Sequence, residues 1–149
     1  MTKKEYAMNL FRQGYNCSQS VLCAFCEELG LDTETAARLA SSFGGGMGRM
    51  REVCGAFSGM LMVLGLRAGY SDPKSFKQKA AHYKRVQELA EMFKEQNGGS
   101  IICRELLGLG GSRFSSVPSK RTEEYYKKRP CINIIGNAAE IIEKYCFTD

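Results

Sequence analysis

The chain has 149 residues, the length of one ordinary domain, and a chain of this size buries about two-thirds of its unfolded surface without a disulfide or metal. Apolar residues make up 44% and charged residues 25%, which excludes long disordered segments, collagen and coiled-coil rods. The formal net charge is +5, and the one local basic cluster, from Lys120 to Arg129, is interrupted by Glu123 and Glu124. We interpret this cluster as a solvated surface and expect no nucleic-acid partner.

Seven cysteines stand beside a single histidine and no tryptophan. Cysteine makes up roughly 5% of the chain, below the level of about 8 to 10% that is typical of a disulfide scaffold. The N-terminal residues lack the apolar core of a signal peptide, and the longest mostly apolar run, from Ala56 to Leu66, is too short to span a membrane. We therefore expect a cytoplasmic protein without membrane insertion, in which the thiols stay reduced.

The predicted fold class is all-α, because apolar residues recur at a spacing of three to four almost throughout and prolines are few. We predict a single domain over residues 1–149, a bundle of about five to seven helices around a buried helix rich in Gly and Met. In the first third of the chain, helices are predicted over about residues 3–12, 17–30 and 33–43. The second has Asn16 as its N-cap and Gln19 in a capping box, and the third is capped by Asp32 or Thr33 and ends at the glycine run 44–46.

A fourth helix, from about Gly48 to Arg67, is apolar nearly all round and contains glycines, each of which costs about 1 kcal/mol relative to Ala. We predict that it is the central buried helix, with neighbours crossing close to Gly55 and Gly59. Asp72 and Pro73 are predicted to open a long polar helix. This helix is predicted over about residues 73–96. The predicted elements after it are a short helix over about 101–108, a loop over 110–120, a weak helix or turn over 121–128, and a last helix from 130 onward.

Three cysteines, Cys17, Cys103 and Cys131, fall in the first turn of predicted helices. A helix N-terminus carries partial positive charge and free N–H groups, which favour thiolate over thiol. Cys54 lies within the predicted central helix, beside small residues that would let the end of another helix come close. We therefore predict that these four cysteines assemble in the folded chain, although their spacing differs from that of CxxC sites.

The other three cysteines are interpreted as structural. Cys23 and Cys26 form a CxxC, but they lie in the middle of the second predicted helix and not at its start, where a thioredoxin-type pair belongs. Cys146, near the end of the chain, is interpreted as structural or incidental. Arg49 and Arg51 follow the glycine run, and our hypothesis is that they stabilise a thiolate or an anionic cluster nearby.

A CGAxxG motif begins at Cys54, follows an NCSQ segment that starts at Asn16, and precedes the isolated Cys103 and Cys131. With these motifs, the chain resembles the C-GCAxxG-C-C family of redox-active proteins, which have about this length and four characteristic cysteines. The resemblance spans nearly the whole chain and implies that the family positions fall on Cys17, Cys54, Cys103 and Cys131. The remaining three cysteines are extra to the family pattern and inherit no role.

The resemblance also carries implications for chemistry and partners. The family includes selenoproteins, its genes often lie near transporter genes, and a related domain accompanies haem in a multihaem cytochrome with an iron–sulfur centre. These features imply redox or metal chemistry, an unidentified redox partner and a link to a membrane transporter system.

Three functions stay open on the sequence alone. The first is a thiol–disulfide redox protein, in which Cys17 or Cys131 attacks and Cys54 is the buried partner. The second is an electron carrier in which Cys17, Cys54, Cys103 and Cys131 bind a metal or an iron–sulfur cluster. The third is a regulatory or binding module of a transporter without redox turnover. The sequence leaves the substrate and a homo-oligomeric state open.

Overall fold

The structure is a computed structural model that describes residues 1–110 and 115–148, and these residues form an all-α fold, as predicted. The α-helices, numbered in chain order, are α1 (Lys3–Arg12), α2 (Cys17–Cys23), α3 (Cys26–Leu29), α4 (Thr33–Ala40), α5 (Gly44–Met47), α6 (Gly55–Ala68), α7 (Phe76–Gln96), α8 (Cys103–Leu107), α9 (Glu123–Lys128) and α10 (Cys131–Phe147). Six of the helices in the described residues have seven residues or more, and the other four have four to six. The segment α5 is not a regular right-handed helix, because Gly45 and Gly46 within it have left-handed φ angles of 67° and 66°.

The first two helices begin where the sequence predicts. Asn16 caps α2 by accepting a hydrogen bond from the Gln19 N–H at 2.9 Å, and the Gln19 side chain accepts one from the Asn16 N–H at 3.0 Å. The predicted second helix is in fact two helices, because the chain leaves regular helical geometry at Ala24 and Phe25. The second of them ends at Gly30 as predicted, in the left-handed conformation with φ of 65° that glycine tolerates.

The central helix α6 begins at Gly55, so the predicted start near Gly48 is wrong. Residues 48–54 are not helical, because Arg49 and Arg51 adopt left-handed φ angles of 66° and 61°, which a right-handed helix cannot accommodate. As a result, Cys54 is the residue that caps the start of α6 and does not lie inside the helix.

Close contact between α2 and α6 explains the glycines of the central helix. A Cβ atom at Gly55 would lie 2.8 Å from the Phe43 carbonyl oxygen and 3.1 Å from the Cys17 Cβ. A Cβ atom at Gly59 would lie 2.9 Å from the Ser18 carbonyl oxygen. The predicted close crossing at both glycines is confirmed, and it brings the starts of α2 and α6 together.

The second half of the chain follows the predicted order with one shift. The long helix α7 begins at Phe76, after the cap Ser75, and not at Pro73. The Ser75 hydroxyl accepts a hydrogen bond from the Gln78 N–H at 3.2 Å, which fixes this start. The predicted loop over 110–120 lies partly outside the described residues, which omit 111–114.

The last helix α10 packs against α1, α2, α6 and α7 and completes the bundle. Gly136 lies buried where α10 meets α1, and a Cβ atom there would lie 2.8 Å from the Met8 sulfur. Within residues 1–110 and 115–148, the helices all fall short of the length or apolar content that crossing a membrane requires.

Candidate functional site

The structure brings the four cysteines singled out in the sequence to one cavity of about 280 Å³. Cys17, Cys103 and Cys131 are the first residues of α2, α8 and α10, and Cys54 immediately precedes α6. All four residues line the cavity. Four helix starts that are distant in sequence therefore meet around the same space.

Polar neighbours of Cys17 fix its position. The side chains of Asn16, Ser18 and Gln19 donate hydrogen bonds of 3.1, 2.6 and 2.9 Å to carbonyl groups in the segment 37–41. These bonds tie the start of α2 to the end of α4 and the turn that follows it. The NCSQ segment is thus a structural anchor that places the Cys17 side chain at the cavity.

Backbone pairing holds Cys54 and Cys103 next to each other. The Cys54 N–H donates to the Ile101 carbonyl at 2.7 Å, and the Cys103 N–H donates to the Glu52 carbonyl at 2.6 Å. These bonds belong to a short antiparallel bridge between residues 53 and 102. An ion pair of 3.1 Å between Arg104 and Glu52 supports the same pairing.

The glycine run lies against this pair of segments. Gly46 has a left-handed φ of 66°. A Cβ atom there would lie 2.6 Å from the Cys103 Cβ and 2.9 Å from the Arg51 Cα. Only glycine satisfies both the backbone angle and the contact at this position, so the run allows the backbone to approach Cys103 closely.

Four arginines line the cavity together with the cysteines: Arg49, Arg51, Arg121 and Arg129. Among the described lining residues, none is Asp or Glu. Arg51 is only 6% exposed, and its Nη1 donates to the Cys103 Sγ at 3.6 Å. Of the two arginines beside the glycine run, Arg51 therefore contacts a cysteine, and the hypothesis that Arg49 and Arg51 stabilise a thiolate or an anionic cluster stays a prediction.

Backbone strain accompanies the placement of Arg51. Met47, Arg49 and Arg51 all have φ between 61° and 66°, a conformation that costs a residue with a side chain roughly 1–2 kcal/mol. The Arg51 N–H donates to the Gly45 carbonyl and the Arg51 carbonyl accepts from the Arg104 N–H, both at 3.2 Å. These bonds offset the strain and hold the guanidinium beside Cys103.

Two site arginines come from the basic cluster that we interpreted as a solvated surface, and for them that interpretation is wrong. The Arg121 guanidinium lies 4.0 Å from the centre of the Phe11 ring and donates to the carbonyls of Phe11 and Tyr15, the latter at 2.8 Å. Arg129 lies 5.5 Å from the centre of the Tyr125 ring. The one sequence signal for Arg129 is its position two residues before a site cysteine, and Arg121 has no such signal.

Burial opposes the thiolate form that helix starts were expected to favour. It raises the pKa of Cys17 and of Cys54, and it raises the pKa of Cys131 to about 12. Backbone N–H groups of Phe57 and Ala56 at the start of α6 lower the pKa of Cys54, as expected, but by less than burial raises it. For Cys17 and Cys131, the expectation that a helix start favours the thiolate is therefore wrong.

The cysteines also interact with one another. Negative charge on Cys103 would raise the pKa of Cys17, and charge on either of these two would raise the pKa of Cys54 and of Cys131. Arg129 and Arg51 lower the pKa of Cys131, and Arg121 lowers that of Cys17. The cluster therefore disfavours several thiolates at once, whereas the arginines favour one negative charge in the cavity.

The four cysteines share the cavity without forming a closed shell of metal ligands. Within residues 1–110 and 115–148, no group of three or more His, Cys, Asp or Glu side chains lies close enough together to hold a metal ion. A metal bound by the four thiolates needs sulfur distances of about 2.3 Å. Side-chain movement would have to precede such binding.

The remaining cysteines lie elsewhere. Cys23 ends α2 and Cys26 begins α3, so the prediction that they lie in mid-helix is wrong, but both are buried core residues, 3% and 7% exposed. They are near enough to each other for each thiol to affect the pKa of the other. Burial raises the pKa of both, and the carboxylates of Asp32 and Glu28 raise that of Cys26 further. Cys146 is half-buried in α10.

The structure is thus a helical bundle in which four thiols from distant parts of the chain line one cavity together with four arginines. A family model described as "Putative redox-active protein (C_GCAxxG_C_C)" matches residues 15–145. The chain belongs to this family. Comparison of the chain with curated proteins and with solved structures found no match.

Proposed function

We propose that this chain is a thiol–disulfide redox protein whose site consists of Cys17, Cys54, Cys103 and Cys131. The observation that carries the proposal is their shared cavity, in which Arg51 donates to the Cys103 Sγ at 3.6 Å. Two neighbouring thiols suffice for disulfide chemistry, whereas metal binding needs all four sulfurs in one shell. The geometry therefore favours the dithiol over the cluster.

Cys103 is the attacking thiol in this proposal. Its sulfur receives a hydrogen bond from a guanidinium, and such a bond strengthens when the acceptor carries negative charge. Burial raises the pKa of Cys17, Cys54 and Cys131, which disfavours their thiolate forms. This assignment replaces the expectation that Cys17 or Cys131 attacks.

Cys17 is the partner that completes the reaction in this proposal, in place of Cys54, because it lines the same cavity and charge on Cys103 would raise its pKa. The Cys103 thiolate attacks one sulfur of an external disulfide, the S–S bond breaks, and the departing thiolate takes up a proton. Cys17 loses its proton and attacks the Cys103 sulfur, which breaks the mixed disulfide and releases the second external thiol. Two protein thiols become one disulfide, and one external disulfide becomes two thiols.

The substrate is a small molecule, because the attacking sulfur is recessed. Cys103 and Cys54 are each only 7% exposed, and they are reached through a cavity of about 280 Å³. A disulfide on the surface of another folded protein would not reach Cys103 without rearrangement. Cys54 and Cys131 border the reacting pair, and their protonated thiols add no charge that opposes the Cys103 thiolate.

Anaerobic purification followed by metal analysis and a free-thiol count tests the proposal. We expect a colourless, metal-free protein whose count of free thiols falls by two when one equivalent of a small disulfide is added. The Cys23→Ala/Cys26→Ala variant is the matched control and should lose the same two thiols. Stoichiometric iron with visible absorbance, or no loss of thiols, would contradict the proposal, and iron would favour the cluster.

A further inference from the structure

We propose that the small molecule which reacts at the four-cysteine cavity carries an oxyanion group, and that Arg51 binds this group beside Cys103. The inference rests on the proposed function and names the chemical class of its substrate. It follows from the charges that line the cavity and from the bonds that its buried arginine leaves unmade.

The charged side chains that line the cavity are all positive among the residues that the structure describes. Arg49, Arg51, Arg121 and Arg129 line it, and none of the lining residues that the structure describes is acidic. Burial, followed by repulsion from Arg51 and Arg129, lowers the pKa of Arg49, so these three guanidinium groups are near enough to oppose one another. A cleft with walls of one charge attracts ligands of the opposite charge.

Arg51 has a donor that the protein leaves unused. Its residue is 6% exposed, and its Nε has no hydrogen-bond partner within the described parts of the chain. A buried donor without a partner costs free energy, and native structures seldom retain one. An oxyanion bound in the cavity would accept this hydrogen bond and remove that cost.

The other arginines are engaged to different degrees. Arg49 donates to the Ser115 carbonyl at 3.0 Å, and Arg121 donates to the Tyr15 carbonyl at 2.8 Å. These bonds orient the two guanidinium groups and commit some of their donors to the protein. Arg51, by contrast, contacts the Cys103 Sγ through Nη1 and keeps Nε free.

The position of Arg51 ties the binding of an anion to the reaction. A guanidinium presents its N–H groups in a planar fork that matches two oxygens of a carboxylate, sulfonate or phosphate. Because Nη1 of the same group donates to the Cys103 Sγ at 3.6 Å, one guanidinium would hold both the oxyanion and the attacking sulfur. An anionic substrate is therefore both attracted and oriented, and a cationic one is repelled.

Two thiol-reactive reagents of similar size and opposite charge test this inference. We would measure the rate constants for modification of Cys103 by 2-sulfonatoethyl methanethiosulfonate and by 2-(trimethylammonio)ethyl methanethiosulfonate, using peptide mapping by mass spectrometry. In the unmodified protein, we expect the anionic reagent to react at least about tenfold faster, and the preference to shrink with added salt.

Variants test which arginines cause the preference for the anionic reagent. Arg51→Met should reduce the ratio of anionic to cationic rates several-fold, whereas Arg38→Met, which changes an exposed arginine outside the cavity lining, should leave it unchanged. Arg129→Met provides a second variant if Arg51→Met does not fold, and it should reduce the ratio as well. Circular dichroism checks that each variant is folded.

The outcomes separate this inference from the proposed function. Equal rates for the two reagents, or a faster cationic reagent, would overturn the anionic substrate and leave disulfide exchange at Cys103 intact. A preference that persists in both Arg51→Met and Arg129→Met would overturn the role of the cavity arginines. If neither reagent modified any of the four cysteines, the proposed function itself would be overturned.

Discussion

Two groups of cysteines in this chain, those at the cavity and those in the core, each contain a buried pair, and the two pairs differ in the charges around them. Cys54 and Cys103 in the cavity are each 7% exposed, and Cys23 and Cys26 in the core are 3% and 7% exposed. The cavity is lined by arginines, whereas the nearest charges that act on Cys26 are carboxylates. Burial alone therefore does not distinguish these two pairs of cysteines, and the sign of the neighbouring charge does.

The backbone accounts for this difference. At the cavity, left-handed residues and a glycine run fold the chain back so that Arg51 reaches Cys103. At the core pair, a simple break between two helices places Cys23 and Cys26 together among apolar side chains. Strained backbone is present at the first site and absent from residues 23–26, as expected if only the first is functional.

The largest expected difference between the two groups is in the rate of disulfide reduction after one sulfur of each group is removed. Cys103→Ser should abolish reduction of a small disulfide, because the attacking thiol is gone. Cys26→Ser is the matched change in the core pair and should leave the rate unchanged. Steady-state rates of thiol release measure both variants, and equal losses would contradict the distinction between the two groups.

Replacing one glycine near each group with alanine tests how tightly the backbone is packed there, through the loss in free energy of unfolding. Gly46→Ala should lower the free energy of unfolding by about 3 kcal/mol or more, because it combines a left-handed angle with a clash against Cys103. Gly30→Ala, just after α3, has a similar φ of 65° but nothing within 4 Å, so about 1 to 2 kcal/mol is expected.

Urea unfolding of the two variants measures this difference. Equal losses would show that the backbone angle, and not the contact with Cys103, sets the cost at Gly46. Such a result would remove the argument that the glycine run is needed for close approach at the cavity.

The pH dependence of stability is expected to be shared by both groups. Burial raises the pKa of Cys131 and of Cys23 from the ordinary value of 9.0 to about 12. The folded protein therefore keeps protons that the unfolded chain loses above pH 9. Each such thiol lowers the free energy of unfolding by about 1.4 kcal/mol per pH unit as the pH rises from about 9 to about 12.

Denaturant unfolding at pH 8 and pH 10 measures this dependence. Cys23→Ala and Cys131→Ala should each flatten the decline by a similar amount, although only the second changes the cavity. A stability that is constant over this range would contradict the burial of the thiols.

The smallest effect is expected beside the core pair. Asp32→Asn removes a negative charge that raises the pKa of Cys26 and keeps the cap of α4, since Asn and Asp cap helices about equally well. The rate of Cys26 alkylation should rise slightly, and the rate at Cys103 should not change. A larger response at Cys103 would mean that the two groups are coupled.

Periodicity and caps predict much of the fold. The bounds of α1, the capping box at Asn16 and the glycine contacts of α6 all follow from local sequence. The predicted start of α6 is wrong because nothing in the sequence marks Arg49 and Arg51 as left-handed, and the hydrogen bond from the Arg104 N–H to the Arg51 carbonyl joins segments that are distant in sequence.

The sequence singles out the four cysteines more readily than the groups that surround them. Cys17, Cys103 and Cys131 lie at helix starts that caps and proline reveal. The roles of Arg121 and Arg129 depend on tertiary contacts, and their local pattern of alternating charge resembles an ordinary exposed helix. Local sequence does not show whether such a helix packs over a cavity.

Disulfide mapping after oxidation tests the central claim most directly. The native protein would be treated with one equivalent of a small disulfide, quenched with acid, digested and examined by mass spectrometry. We predict a disulfide between Cys17 and Cys103, with Cys23 and Cys26 recovered as free thiols. A disulfide between Cys23 and Cys26, with Cys17 and Cys103 still reduced, would contradict the account.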